Sequence, residues 1–255
     1  MCKEVITLFE LSLLSWIVII FCAMLIGFTK TGIASLGIFV VTILMFIFPA
    51  KASVGILLPM LIVGDIFAVI YYRRKVVWRY LFSLVPWVLV GIASGYLLLD
   101  VINSEQLKPL IGALVLILIT LHVLRDRLGD RFTKMLPKSK VFTVVMGALA
   151  GFTTMIGNAA GGIMSIYLLM KQLPKQEFIG TAAWFFLFVN LIKVPLYIQL
   201  DLITFDSMLF NLKLIPAIVV GAIIGIRLLP YIPQKVFQAL ILIFSAIGGL
   251  RLLIG

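Results

Sequence analysis

The sequence has 255 residues, of which 63% are hydrophobic and only 12% are charged. A soluble domain of this length carries about 25% charged residues, so the composition excludes a soluble globular protein. The formal net charge of +11 would suit a nucleic-acid-binding protein, but most basic residues lie in short connections between apolar runs, as they do in membrane proteins.

Apolar runs long enough to enter or cross a bilayer recur along the whole chain. Five lie in the first half, at about 11–28, 33–48, 53–72, 80–99 and 107–124. Five more lie in the second half, at about 141–156, 158–171, 177–198, 208–229 and 235–253. The pattern predicts an all-α polytopic membrane protein with 8 to 10 membrane segments. The first two runs of each half form either two thin spans or a re-entrant hairpin.

The two halves repeat one another at a nearly constant spacing. Residues 27–29 recur as residues 151–153, at an offset of 124, and Asp65 falls on Asn190 at an offset of 125. The sequence therefore divides one integral membrane domain into repeat 1 (1–124), a basic connector (125–140) and repeat 2 (141–255). The later matches, at an offset of 130, pair Pro86, Gly91 and Gly95 with Pro216, Gly221 and Gly225.

Equivalent loops of the two repeats differ in charge. The loop 73–79 holds Arg73, Arg74, Lys75 and Arg79, whereas the equivalent loop 199–207 holds Asp201 and Asp206 and has no Lys or Arg. Basic loops stay in the cytoplasm, so the two loops belong on opposite sides of the membrane. We expect inverted-topology repeats in the inner (plasma) membrane, with loops 73–79 and 125–140 cytoplasmic and both termini outside.

Each repeat contains an early apolar stretch that glycines interrupt, and we call these the first elbow (residues 25–37) and the second elbow (residues 149–162). Each elbow ends by starting a helix, whose N-terminus offers free N–H groups and a partial positive charge. Two such N-termini facing each other suit a small anion. Alternatively, the glycines serve only close helix packing. The predicted substrate-binding residues are Gly27, Thr29, Lys30, Thr31, Gly32, Thr153, Gly157, Asn158, Gly161 and Asn190.

Lys30, Asp65 and Lys193 are the ionisable residues within or beside the predicted spans that we single out as candidates. A charge at the bilayer centre costs about 2.5–3.5 kcal/mol, which makes each of them a functional candidate. Lys30 either attracts the anion, pairs with Asp65 or extends to water from a shallow elbow. Asp65 carries a coupling proton or is simply the charge partner of Lys30. Lys193 shares a helix face with Asn190, three residues before it, or reaches the outer surface.

Enzyme classes find no support in the sequence. It contains no Walker motif, no nucleophile–base–acid set and no Cys/His cluster for a metal. We therefore predict no enzymatic activity, no catalytic residue, no metal site and no cofactor. The predicted partners are a small anion and the lipid bilayer, without nucleic acid, and the sequence leaves homo-oligomer formation open.

The doubled elbow, Asp65, the Tyr-Tyr-Arg-Arg-Lys exit after it and the Gly-x-x-x-Gly of residues 91–95 resemble the TauE/SafE sulfite exporter family, also called the toluene sulfonate uptake permease family. The resemblance extends over nearly the whole chain. It implies a bacterial or archaeal inner-membrane permease for small, often sulfur-containing anions such as sulfite or organosulfonates. The first elbow departs from the family pattern because it is poorer in glycine and contains Lys30.

Together these features predict a secondary transporter (permease) of a small anion, with its site at the midplane between the two elbows. The repeats would provide alternating access, and Asp65 would allow proton coupling. Two alternatives remain open: a cation- or proton-linked carrier that uses Asp65 directly, and a non-transporting membrane scaffold subunit.

The predicted topology is tested by reporters fused at two loop positions. A reporter at Lys134 should be active in the cytoplasm, and a reporter at Asp201 should be active outside, because positive charge retains a loop inside. Enzymatic reporters specific for each compartment provide the measurement. The reverse pattern would overturn the orientation, and the same compartment for both would contradict the inverted repeat.

Overall fold

The computed structural model describes residues 11–30, 36–72, 75–129, 131, 139–228 and 234–254. Every regular element in these ranges is a helix, and six helices are long and apolar enough to cross a membrane. The prediction of an all-α polytopic membrane protein is therefore confirmed. The helices are α1 (Leu13–Lys30), α2 (Leu36–Leu44), α3 (Ala50–Tyr72), α4 (Trp78–Val101), α5 (Ser104–Leu128), α6 (Lys140–Gly157), α7 (Gly161–Met170), α8 (Lys175–Gln199), α9 (Phe205–Leu228) and α10 (Gln234–Ile254).

Two helices, α2 and α7, are too short to cross a bilayer. They have 9 and 10 residues, or about 15 Å at a rise of about 1.5 Å per residue, against a hydrocarbon thickness of about 30 Å. Each is followed by a proline, Pro49 or Pro174, directly before the next helix begins. Both helices end before the proline, at Leu44 and Met170. The proline then keeps the short helix separate from the next one, because the residue before a proline is biased away from helical geometry. The predicted second run, 33–48, extends beyond the helix that forms.

The tightest helix packing joins the two repeats through glycine. Helix α4 packs along α6, and a Cβ at Gly91 would lie 2.0 Å from the Ala148 carbonyl oxygen. On the facing helix, a Cβ at Gly151 would lie 2.0 Å from the Val88 oxygen. Only glycine allows the two backbones to approach this closely, which is the small-residue packing typical of membrane helices.

The equivalent pair, α1 and α9, repeats this arrangement. A Cβ at Gly27 would lie 1.9 Å from the Ile218 oxygen, and a Cβ at Gly221 would lie 2.0 Å from the Met24 oxygen. In each pair, the first helix of one repeat packs on the fourth helix of the other. The two repeats are thus interlocked by a reciprocal exchange of helix partners.

Helices α3 and α8, the third helices of the two repeats, contact each other in antiparallel fashion. The start of α3, at Gly55, lies against Leu202 beyond the end of α8, and Gly180 near the start of α8 lies against Lys75 beyond the end of α3. The inverted repeat and its orientation in the membrane both stay predictions. Helix α3 is the most buried of the candidate spans, with 67% of its apolar window inside the protein.

The close approach of α4 and α6 generates a stability prediction. Gly151→Ala should lower the free energy of unfolding by about 1–3 kcal/mol or more, because its methyl group would collide with the Val88 backbone. The apparent melting temperature in detergent provides the measurement. Gly162→Ala is the matched control, since its Cβ would lie 3.5 Å from the Leu118 side chain, an ordinary contact. An equal melting temperature for the two variants would contradict this account.

Candidate functional site

A polar cluster lies inside the apolar core where α3, α8 and the second elbow meet. Its members are Asp65 of α3, Asn190 and Lys193 of α8, and Thr154 and Asn158 of the second elbow. Asp65 and Lys193 have no exposed surface, and Asn190 is 1% exposed. Polar groups buried this deeply are retained only when they are hydrogen-bonded.

The Lys193 ammonium is the centre of the polar cluster. Its Nζ donates to the carbonyl oxygen of Thr154 at 2.9 Å, to the Oγ1 of the same residue at 3.1 Å, and to Oδ1 of Asn158. The Tyr197 ring centroid lies 5.4 Å away, within range of a cation–π interaction. These contacts hold the end of α6 against the middle of α8.

Asn190 connects this ammonium to the Asp65 carboxylate. Its Nδ2 donates to Oδ2 of Asp65 at 2.7 Å, and its Oδ1 accepts from Lys193 Nζ at 3.2 Å. The orientation of the amide follows from chemistry, because an ionised carboxylate only accepts hydrogen bonds and an ammonium only donates them. The amide therefore bridges the Asp65 carboxyl group and the Lys193 amino group.

The second elbow is shaped by Asn158. This residue adopts the left-handed conformation (φ 54°, ψ 34°) that ends α6, a conformation that asparagine tolerates better than most residues. Its Nδ2 donates to the Val54 carbonyl oxygen at 3.1 Å, which ties the elbow to α3. Asn158 thus ends α6, accepts a hydrogen bond from Lys193 and joins the second elbow to α3.

Opposite helix ends meet at the second elbow. Lys193 binds the C-terminal end of α6, where the helix dipole is negative and favours a cation. Helix α7 begins at Gly161, and its first N–H groups carry the partial positive charge that favours an anion. The sequence alone suggested only the second of these two features.

Part of the first elbow falls outside the described residues. Helix α1 ends at Lys30, but Thr31 and Gly32, and the side chains of Thr29 and Lys30, lie beyond what the structure describes. The pairing of Lys30 with Asp65 therefore stays a prediction. Gly27 is described, and it packs against the α9 backbone. This contact agrees with the alternative that the elbow glycines serve close helix packing.

The other predicted residues lie around the second elbow. Thr153 is buried, and its hydroxyl donates to the Ala150 carbonyl oxygen at 3.3 Å. Gly157 packs beside the Ile111 side chain, and the Gly161 carbonyl accepts the Ser165 hydroxyl at 2.8 Å. The structure thus brings Asn158, Asn190, Lys193 and Asp65 into one hydrogen-bonded group, with Thr153, Gly157 and Gly161 nearby. Whether these residues bind a substrate stays a prediction.

Thr154 and Tyr197 are not among the candidate site residues that the sequence predicted. The Tyr197 hydroxyl donates to the Met155 carbonyl oxygen at 2.7 Å, so it fixes α8 to α6 beside Lys193. Two signals were present in the sequence. Tyr197 follows Lys193 by four residues and therefore shares its helix face, and Thr154 occupies the position equivalent to Lys30 at the offset of 124.

Comparison with known proteins adds one match. The family model described as Sulfite exporter TauE/SafE matches residues 19–252. This range includes both elbows, the connector and all members of the polar cluster. Neither the comparison with curated proteins nor that with solved structures gives a match.

The polar cluster generates a stability prediction. Lys193→Met keeps the length of the side chain but removes the charge, which leaves buried oxygen atoms of Thr154, Asn158 and Asn190 without this donor. We expect the free energy of unfolding to fall by about 3–5 kcal/mol. Thermal unfolding in detergent provides the measurement, and Lys140→Met, at an exposed lysine of α6, is the matched control.

The double variant Lys193→Met/Asp65→Asn tests whether Asn190 couples the two charges. Residues of one network show interaction energies of about 0.5–3 kcal/mol, so the combined loss should differ from the sum of the single losses. Additive losses, or a Lys193→Met melting temperature equal to that of the wild type, would contradict the network.

Proposed function

The chain belongs to the TauE/SafE sulfite exporter family, and from that premise we propose that it is a secondary transporter of a small sulfur-containing anion, such as sulfite or an organosulfonate. The family is one of membrane transporters, and the six candidate spans agree with a multi-pass membrane protein. In this proposal, the substrate binds at the second elbow and its counterpart in the first repeat.

The observation that carries the proposal is the position of the Lys193 ammonium. It is fully buried at an interrupted helix, bonded to Thr154 and Asn158. A lysine is expensive to bury in a membrane protein and is retained where it serves a pathway or a ligand. An anion that enters the elbow would meet this ammonium and the N-terminus of α7 together.

Lys30 would supply a second cation from the first elbow. At the offset of 124, Lys30 is the counterpart of Thr154, the residue that binds Lys193 in the second repeat. The counterpart of Lys193, at the offset of 125, is Ala68. Each repeat therefore has one lysine at its elbow. In repeat 1 this is Lys30 of the elbow itself, and in repeat 2 it is Lys193 of the third helix, α8. We propose that the anion lies between them.

Proton coupling would act through the Asn190 amide. In the structure, Asn190 donates to Asp65 and accepts from Lys193. In this proposal, protonated Asp65 donates a hydrogen bond, and the amide turns its oxygen toward the carboxyl group to accept it. This rotation would withdraw an acceptor from Lys193 and make the ammonium available to an anion. A proton and a monovalent anion would thus enter the site as a neutral pair.

Alternating access needs bodies that move against one another. The glycine-packed pairs α1/α9 and α4/α6 each contain one helix from each repeat, with backbones in direct contact. Such contacts resist sliding because close-packed backbones leave no space for relaxation. We therefore propose that these pairs move as units relative to α3 and α8, rather than one whole repeat relative to the other.

Transport in proteoliposomes tests this function. Labelled sulfite should enter vesicles that contain the protein with saturable kinetics, and an excess of unlabelled organosulfonate should compete. Lys30→Ala and Asn158→Ala together should lower uptake at least about tenfold, since losing even one interaction of about 1.4 kcal/mol has this effect. The control Lys140→Met should transport as the wild type does. Unchanged saturable uptake by the double variant would remove the proposed site.

Asp65→Asn separates coupling from binding in the same vesicles. It should still exchange labelled for unlabelled anion, because the amide retains the shape of the carboxylate, but it should no longer accumulate anion in response to a pH gradient. Gradient-driven accumulation by this variant would contradict coupling through Asp65. Absence of anion flux in the wild type, with flux of a cation instead, would favour the alternative carrier.

A further inference from the structure

A second feature of the protein lies apart from the hydrogen bonds of the polar cluster. A cavity of about 260 Å³ opens between α3, α8 and α9, and ten of the eleven described residues that line it are apolar. Its walls include Pro59 and Val63 of α3, Val194 of α8, and Leu212 and Ile215 of α9. Such walls exclude an anion, because burying an unpaired charge among apolar side chains is very costly.

Asn211, the one polar residue of this lining within the described part of the chain, has an unsatisfied hydrogen-bonding atom. Its side chain is 6% exposed, and its Oδ1 has no hydrogen-bond partner among the described residues. Its Nδ2 donates to the Ser207 carbonyl oxygen at 2.8 Å. Because a carbonyl oxygen only accepts, the amide nitrogen must face Ser207, which leaves Oδ1 as the free acceptor. A buried acceptor without a donor is unfavourable unless a ligand supplies one.

The other repeat shows what can fill this position. At the offsets of 125 and 130, Trp184 is the counterpart of Pro59, and Trp78 and Phe82 are the counterparts of Met208 and Leu212. These rings pack together, with centroids 5.1 Å apart for Trp78 and Trp184 and 5.9 Å apart for Trp78 and Phe82. Aromatic rings thus stand at the positions that are equivalent, by the repeat offsets, to three residues of the cavity lining.

The two repeats also differ in polarity at this place. The counterpart of Asn211, at the offset of 130, is Leu81, a buried apolar residue. The set of equivalent positions that lacks the rings is therefore the set that has the free acceptor. The cavity is lined by residues whose equivalents carry rings, and Asn211 Oδ1 has no donor within the described part of the chain. A ring that carries a hydrogen-bond donor would fill the cavity and supply this donor.

The rim of the cavity indicates where such a molecule would come from. Met208 and Leu212 line the cavity and are 46% and 58% exposed, on a helix that is long and apolar enough to cross the membrane. Apolar residues exposed on a membrane helix face lipid. Access is therefore from the bilayer, and the occupant must partition into it.

We propose that this cavity binds a membrane-dissolved phenol-type amphiphile, with a ring and a short apolar chain, whose hydroxyl group donates to Asn211 Oδ1. The size fits, because a cavity of about 150 Å³ holds benzene, and about 260 Å³ admits a ring with a short chain. The ligand would bridge α3 and α9, helices of different repeats, and would favour the arrangement that holds the cavity open.

The test compares 4-propylphenol with its methyl ether, 4-propylanisole, which has the same ring but no donor. Full-length protein in lipid nanodiscs is titrated with each compound, and the shift in apparent melting temperature is measured, since a ligand of the native state stabilises it. The phenol should reach half of its effect at a concentration about fivefold lower than the ether does, because one hydrogen bond to a buried acceptor is added.

Two variants locate the binding. Asn211→Leu should fold, since replacing a buried unsatisfied polar group by an apolar one is nearly neutral, and it should abolish the difference between phenol and ether. Met208→Trp/Leu212→Phe copies the rings of the other repeat into the cavity and should abolish the response to both compounds. Leu209→Phe adds a ring to the same helix outside the cavity lining, so it should respond as the wild type does.

Equal half-maximal concentrations of phenol and ether in the wild type would overturn the proposal. So would a phenol preference that persists in Asn211→Leu, because the acceptor would then lie elsewhere. An undiminished response of Met208→Trp/Leu212→Phe would place the binding outside the cavity and overturn the proposal as well.

Discussion

The burial of the Lys193 ammonium is the constraint on which the centre of the protein depends. A full charge with no exposed surface must be surrounded by oxygen atoms, because the apolar interior gives it no solvation. Those oxygens come from the end of α6, the turn at Asn158 and the amide of Asn190. The same ammonium therefore fixes the second elbow, holds α8 beside it and, through Asn190, orients Asp65 on α3. If the site transports an anion, its binding has to compete with these bonds.

Around this polar centre, glycine sets the distances between helices. Gly27 and Gly221 bring α1 against α9, and Gly91 and Gly151 bring α4 against α6. Lipid provides no hydrophobic force between membrane helices, so close backbone contact is the main source of their association. The result is a frame of two interlocked pairs around the most buried span, α3. A frame of this kind explains how two interrupted, short helices can be held in place deep inside the protein.

The two repeats share a backbone plan and differ in chemistry. Asp65 lies opposite Asn190, its counterpart at the offset of 125, across the antiparallel α3 and α8. Elsewhere the equivalent positions carry different residues. At the polar cluster the counterpart of Lys193 is Ala68, and at the cavity the counterpart of Pro59 is Trp184. A symmetric pair of elbows would treat both sides of the membrane alike. The substitutions therefore concentrate the specific chemistry of this protein at the places where the symmetry is broken.

The sequence by itself determined the class and the apolar runs from which the helices form, because apolar run length is a local signal. Its repeat offsets also placed Asp65 and Asn190 at the same depth. The family resemblance also followed from such residues. Only the tertiary structure decided that Thr154 and Asn158 bind Lys193, that Gly27 is a packing residue and that α2 ends at Leu44. The spacing of an elbow does not reveal which side chain from another helix will reach it. The partner of a buried charge depends on how helices far apart in sequence cross, and that crossing is set by packing over the whole protein rather than by any local pattern.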